Sequence, residues 1–356
     1  MKSGKCRVTP VVVIAAALYG TVAALGQQPP VPQTDATAID PDGTAHVTRV
    51  VPVPETISPE AQKFISRPIS STAGSGGLAE RRKGTDEFRI GRAAEARRLY
   101  PVNIEEQTTG GVRCDVITPL KIPENKRDRV LINVHGGGFV TDSGSLVEGI
   151  PIANLTATTV VSVYYRLAPE HPYPAAVEDA VAVYKELLKK YKPEHIGLFG
   201  TSAGAILTAE TAAELKHEGL PLPGALGIFS GTGDMSQAGD SEALYTIFGF
   251  GGAIEPPSKK HEPDAYVGTT NPRDPVLSPL YSDLHGMPPT LFVTSTRDLL
   301  LSGTTILHRA FLRSGVDAQL AVFEALPHAF WYDYHLPETK EALGLMADFF
   351  DTKLSR

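Results

Sequence analysis

Gly200-Thr201-Ser202-Ala203-Gly204 follows an apolar run, Ile196 to Phe199, and opens a run of small residues, Ala205 to Leu215. That order predicts a strand, a tight turn and a helix, with Ser202 at the apex of a G-x-S-x-G turn. A nucleophilic serine needs a strained turn that exposes its hydroxyl. Glycines two positions to either side let neighbouring backbone pass that closely. The string also arises by chance, so its meaning depends on what surrounds it.

Upstream, His135-Gly136-Gly137-Gly138-Phe139 follows a short apolar strand, Val130 to Val134. Three glycines expose consecutive backbone N–H groups where side chains would otherwise block a ligand. Such donors can hold the negative oxygen that develops when a hydroxyl attacks a carbonyl. A phosphate loop would run straight into a helix, often with a lysine nearby. Here Phe139-Val140-Thr141-Asp142 follows, without one. A simple tight turn remains the alternative to an oxyanion hole, for which the N–H groups of Gly137, Gly138 and Ala203 are the expected donors.

Farther out, apolar runs alternate with helical stretches. Val102 to Thr108 and Val112 to Thr118 flank Gly110-Gly111 as a hairpin. Strands are expected at Thr159 to Tyr164, Ala225 to Ser230, Thr290 to Ser295 and Gln319 to Phe323. Helices are expected near Asp86 to Tyr100, Ala175 to Lys190, Gly303 to Arg313 and Pro337 to Leu354. The pattern implies an α/β fold, a mostly parallel sheet covered on both faces. Gly231 to Asp274, rich in Gly, Pro and aromatics, interrupts it.

At this point the chain resembles the hormone-sensitive-lipase-like branch of the α/β-hydrolase esterases. The resemblance rests on His135 to Phe139, on Tyr165-Arg166-Leu167-Ala168-Pro169-Glu170-His171-Pro172-Tyr173-Pro174-Ala175-Ala176, and on the Ser202 turn, in the family's order and spacing. It covers about residues 58–356. It implies an α/β-hydrolase fold with a partly N-terminal helical lid, from residues 58–100 and from 231–275. Many members carry Asp before the nucleophile; Thr201 stands here, as in the branch with a G-T-S-A-G turn.

A serine needs a base, and the base needs a partner that fixes its tautomer. In this fold the chain order is Ser, acid, His. Asp298 lies just past the Thr290 to Ser295 strand, although its place before an apolar run also suits a helix cap. Asp274 and Asp283 follow no clear buried strand, and Glu324 lies only four residues before the expected base. That base is His328, directly after the last strand; His308 falls in a helix pattern, and His335 in an aromatic segment is the main rival. The resemblance supports Asp298, where the family has its acid, and His328 in a His-x-Phe pattern. His135 is expected to bond within its own loop. Arg166, Glu170 and Asp179 are expected to form buried or half-buried polar pairs that support it.

These residues point to a serine carboxylesterase for small to medium acyl esters, working through an acyl-enzyme. Phe139, Tyr245 and Phe248 are the expected substrate contacts. The same serine could serve a lactone or amide hydrolase, and the same fold a non-catalytic ligand-binding protein.

Composition narrows the partners. The 356-residue chain carries 33 basic and 40 acidic residues, a net charge of −7. Lys2, Lys5 and Arg7 precede an uncharged apolar run, Val11 to Leu25, ending Ala24-Leu25-Gly26. Residues 1–26 read as a secretory signal peptide, hence an exported protein, periplasmic or secreted. The alternative is a retained anchor, although 15 residues fall short of the roughly 20 that span a bilayer. Cleavage leaves 30 basic against 40 acidic residues, a surface that repels nucleic acid and anionic membrane. Only Cys114 would remain of the two cysteines, and no Cys/His cluster has metal-ligand spacing. No cofactor or metal is expected. Residues 27–57, rich in Pro, Thr and Asp, read as a disordered or extended linker. A homodimer through a late strand is a further expectation.

Overall fold

The computed structural model describes residues 35–68, 77–237, 239–251 and 265–354. The signal-peptide reading of residues 1–26 lies outside them. The chain divides into two units at Pro52–Val53. In the first, Ala36–Ile39 (β1) and Ala45–Thr48 (β2) pair antiparallel around a turn at Asp40 to Thr44, with every residue exposed. Sequence polarity pointed to a linker there; alternating Thr, Ala, Ile and Val supplied enough β propensity for a hairpin.

The second unit is built on an eight-stranded sheet, ordered β10-β9-β8-β7-β5-β6-β4-β3. Its strands are Val102–Thr109 (β3), Val112–Pro119 (β4), Val130–Val134 (β5), Thr159–Val163 (β6), Ile196–Thr201 (β7), Ala225–Phe229 (β8), Thr290–Arg297 (β9) and Ala318–Pro327 (β10). From β5 to β10 neighbours run parallel, whereas β3–β4 and β4–β6 are antiparallel. Every residue of β5 and β8 is buried, as a sheet sandwiched between helices requires.

Strand alternation divides the core in two. Val130, Ile132 and Val134 face one cluster, with residues of Ala175–Leu187 (α4), Ala203–His217 (α5) and Leu301–Arg313 (α7). Leu131 faces the other, with residues of Pro59–Ile65 (α1), Leu78–Leu99 (α2), Gly149–Thr156 (α3) and Pro337–Lys353 (α8). Asn133, in register with Leu131, turns a polar side chain onto that second face.

Two elements differ from expectation. Helix α2 begins at Leu78, eight residues before Asp86. Its first turns are charged and carry Gly84, so no apolar stripe marks them; a tertiary anchor through Arg82 holds them instead. Helix α3 was not anticipated, because Pro151 obscures a short buried segment, although proline is tolerated in a first turn. A third short helix, Asp240–Leu244 (α6), lies in the otherwise irregular stretch.

Candidate active site

Both expected glycine roles are visible around Ser202. A Cβ on Gly200 would come within 2.2 Å of the Val134 carbonyl oxygen, and one on Gly204 within 2.0 Å of the same atom. The turn thus presses against the end of β5, and any side chain there would push it off. Ser202 itself adopts φ 62° and ψ −124°, a left-handed conformation that costs about 1–3 kcal/mol and persists only where the surroundings impose it. Its N–H donates to the Phe229 carbonyl at 3.0 Å, its side chain is part-exposed, and α5 starts at Ala203.

The glycine loop lies beside this turn. A Cβ on Gly136 would sit 3.2 Å from Ser202 Cβ. Gly137 has φ 115°, and a side chain on it would strike the Thr141 carbonyl at 2.1 Å, so glycine is required twice over. Its carbonyl is held by the Thr141 hydroxyl and by the N–H groups of Val140 and Thr141. Gly138 is exposed and faces open space. Among the described residues, the N–H groups of Gly137, Gly138 and Ala203 donate to no protein acceptor. His135 Nδ1 lies 2.8 Å from the Gly136 carbonyl, and its ring stacks on Tyr165 at 4.1 Å. That is the local bond expected of it. Phe139 is only 3% exposed and stacks face to face on Tyr266 at 3.5 Å. The ring named as a substrate contact therefore braces the loop against the core.

His328 Nδ1 and Asp298 Oδ1 are 2.8 Å apart. Asp298 is wholly buried, and its Oδ2 accepts from the Thr294 and Ser230 hydroxyls. Its Oδ1 also accepts the Leu300 N–H at 2.9 Å, so the helix-start contact and the histidine contact coexist in one carboxylate. Burial alone would raise its pKa. The facing His328 ring and the hydroxyl and amide donors outweigh burial, and the carboxyl is held below its ordinary 3.8. The rivals are engaged elsewhere. Asp274 accepts from Tyr173, Asp283 from Lys216, and Glu324 from Thr296; His335 pairs with Glu95, and His308 points at the Ala318 carbonyl.

The three limbs are fastened to one another. Ser295 Oγ on β9 donates to the Leu326 carbonyl on β10, joining the strand before Asp298 to the strand before His328. Three residues past His328, Trp331 Nε1 donates to Thr201 Oγ1 at 3.1 Å, joining the His328 loop to the Ser202 turn. Thr201 in turn donates to Glu148, beside the Asn133 carboxamide at 2.9 Å. Reading the sequence did not single out Glu148, Asn133, Ser230, Thr294 or Trp331. Apart from Thr294, four positions before Asp298, their partners lie 15 to 130 positions away, and no periodicity signals such pairs.

The supporting motif forms the expected polar pairs, with an addition, but Arg166 and Glu170 are exposed and only Asp179 is buried. Arg166 bonds Asp179 through Nε at 3.0 Å and Glu178 through a terminal nitrogen at 2.8 Å. Glu170 is paired bidentately, at 2.7 and 2.6 Å, with Arg82 of α2. Arg82 also donates to the carbonyls of Val140 and Ala168, so the N-terminal helix is clamped to the glycine loop. Tyr245 and Phe248 lie in a compact turn where the Thr246 N–H donates to Gly249. A Cβ on Gly249 would lie 3.4 Å from Arg297 Cβ and 3.5 Å from Pro327 Cβ, so the turn borders the residues that precede Asp298 and His328. Phe248 is 36% exposed. Among the described residues, no three His, Cys, Asp or Glu side chains are grouped to hold a metal ion.

Comparison with known proteins agrees with this architecture. A family model described as the alpha/beta hydrolase fold matches residues 131–332. An acetyl-hydrolase of Streptomyces hygroscopicus is 32% identical over 237 residues, 65% of this chain and 78% of that protein. An esterase of Acinetobacter venetianus is 30% identical over 271 residues, 71% of this chain and 84% of that protein. Among solved structures, esterase E25 superposes with a TM-score of 0.73 at 32% identity, covering 86% of this chain and 97% of that one. An esterase from the bacterial hormone-sensitive lipase family gives 0.68 at 29% identity, over 83% and 99%. The chain therefore belongs to the α/β-hydrolases, in their hormone-sensitive-lipase-like branch, and is a carboxylic ester hydrolase.

Proposed function

We propose that the enzyme hydrolyses small to medium acyl esters through an acyl-enzyme on Ser202, with His328 as general base and Asp298 as its orienting partner. The observation that carries this is the His328–Asp298 pair at 2.8 Å, its acid buried and fully bonded, on a loop tied to the turn that bears Ser202. With Nδ1–H donated to Asp298, the ring keeps Nε2 free as a base. His328 takes the Ser202 proton as the hydroxyl oxygen attacks the ester carbonyl. The resulting oxyanion is met by the N–H groups of Gly137, Gly138 and Ala203, which have no protein acceptor of their own. As the ester bond breaks, His328 gives its proton to the departing alcohol. Water, deprotonated by the same ring, then releases the acid.

The size estimate rests on Tyr245 and Phe248 at the border of the site. The relatives' printed names, an acetyl-hydrolase and an esterase, favour short acyl groups. Ser202→Ala should abolish hydrolysis of p-nitrophenyl acetate and butyrate while circular dichroism stays native; surviving activity would remove Ser202 from the mechanism. Fluorophosphonate labelling at Ser202 separates this reading from a ligand-binding protein, and parallel lactone and amide substrates test the bond type. Export is proposed from residues 1–26 alone, and an N-terminal sequence of the mature protein that began at Met1 would refute cleavage.

A further inference from the structure

The chain of side chains behind Thr201 has a direction that can be worked out proton by proton. Trp331 Nε1 can only donate, and it donates to Thr201 Oγ1 at 3.1 Å. The single Thr201 proton then goes to Glu148 Oε2. At the other end, Ser162 Oγ touches both the Ser145 carbonyl and, at 2.8 Å, the Asn133 carboxamide. A carbonyl only accepts, so the one Ser162 proton belongs to Ser145, and Ser162 must accept from Asn133. In the structure Asn133 Nδ2 faces Glu148 Oε1 and Oδ1 faces Ser162; the protons available call for exchanging those two nearly isosteric atoms, so that the N–H turns to Ser162 and the oxygen to Glu148. With that exchange an oxygen lies 2.9 Å from Oε1, which requires a proton between them, and Glu148 is the group that can carry it.

We propose that Glu148 is a neutral carboxylic acid in the folded enzyme below neutral pH and the positioning residue that ties the Ser202 turn to the end of β5 and the His328 loop. It sits at the N-terminal edge of α3 just after the glycine loop, and through Thr201 it holds the residue preceding the nucleophile. Through Trp331 the same hydroxyl holds the loop of the base. The five side chains from Trp331 through Thr201, Glu148 and Asn133 to Ser162 are all essentially inaccessible to solvent. An ionised Glu148 would leave the Ser162 proton shared between two acceptors and a buried charge without a cation. The titratable groups facing it do not supply one. Asp142 is a like charge, and Tyr165, Tyr332 and Tyr334 are buried phenols. The nearby basic group, His135, is stacked on Tyr165 and bonded to Gly136. Burial pushes the Glu148 carboxyl up to about 7, against the lowering effect of its hydroxyl and amide neighbours.

The inference rests on Ser202 being the nucleophile, and its test has arms that do not. Glutamine has the donor and acceptor of a neutral acid, so Glu148→Gln should keep kcat close to wild type. Thr201→Val should lower kcat per fluorophosphonate-titrated site on the order of tenfold to a hundredfold, with KM little changed, because a displaced nucleophile costs the chemical step. Thr201→Ser should restore it. At pH 6 the wild type minus Glu148→Gln infrared difference spectrum should contain a carboxylic-acid carbonyl band that fades as the pH rises above 7. Folding takes up a proton where the folded pKa exceeds the unfolded one. The wild type should therefore lose thermal stability relative to Glu148→Gln between pH 4.5 and about 7, with a constant gap above. No such band, or a Glu148→Gln variant as impaired in kcat as Thr201→Val, would overturn the neutral assignment. Undiminished kcat in Thr201→Val would overturn the positioning role. Activity in Ser202→Ala would instead fault the nucleophile, leaving the infrared and thermal results to judge Glu148.

Discussion

The carboxyl ends of β5, β7, β8, β9 and β10 with their following loops, and the turn at residues 245–251, lie around Asp298 and His328, but different forces hold them. In the first region, Asn133, Glu148, Thr201, Ser230, Thr294, Asp298 and Trp331 are all buried, and each has a named hydrogen-bond partner. The turn exposes half of Ile247 and nearly half of Phe250, and Phe250 leans on the Arg297 guanidinium at 4.8 Å. Satisfied polar networks in a low-dielectric interior fix atoms closely, because any shift strands a donor or acceptor. Exposed apolar contacts tolerate rearrangement. Under the proposed function, reaction geometry is expected to reside in the first region, and the fit of different acyl chains in the second.

Mutations in the two regions should therefore differ in kind as well as size. Ser202→Ala should cost on the order of 10⁶ in kcat, since a triad without its nucleophile keeps only binding and oxyanion stabilisation. Asp298→Asn should cost about 10⁴, by presenting an amide where His328 needs an acceptor. It also probes acid stability. The Asp298 pKa is held below its ordinary 3.8, so its stabilising contribution is present above that value and lost as pH falls through the lowered pKa. Melting curves from pH 5 to pH 2 should converge for wild type and Asp298→Asn. In the turn, Phe248→Ala should change kcat/KM by up to about tenfold for hexanoate or octanoate esters and little for acetate. An equal effect on acetate would break the division between the regions. The smallest effect belongs to Glu170→Gln at the clamp between α2 and the glycine loop. Arg82 draws the Glu170 carboxyl down to about 2, so its contribution is present above about 4.5 and fades as pH falls towards 2. The pair is exposed, so the melting change should be slight and shrink further in high salt.

What could be read in advance follows the same boundary. The strand–turn–helix around Ser202, the β5 strand and its glycine loop all appeared where apolar runs meet glycine, because period and turn chemistry are local properties. The His328–Asp298 pair came from chain order together with family resemblance, and in the structure the rivals His335 and Asp283 are engaged by other partners. Helix α3 and the first turns of α2 escaped because proline, glycine and charges mask their periodicity. Phe139 was taken for a substrate contact because it adjoins the glycines; its stacking on Tyr266, 127 positions away, was not legible.

The sequence by itself determined the layered α/β architecture, the nucleophile turn and the run of amide donors. Each follows from neighbours along the chain: apolar period, glycine at forced backbone angles, small residues where segments must touch. Only the tertiary structure decided which carboxylates are buried, which are paired and which keep their proton. As letters, Asp298, Glu148 and Glu170 are simply three acidic residues. They differ in the depth at which folding places them and in the donors that folding brings from distant strands.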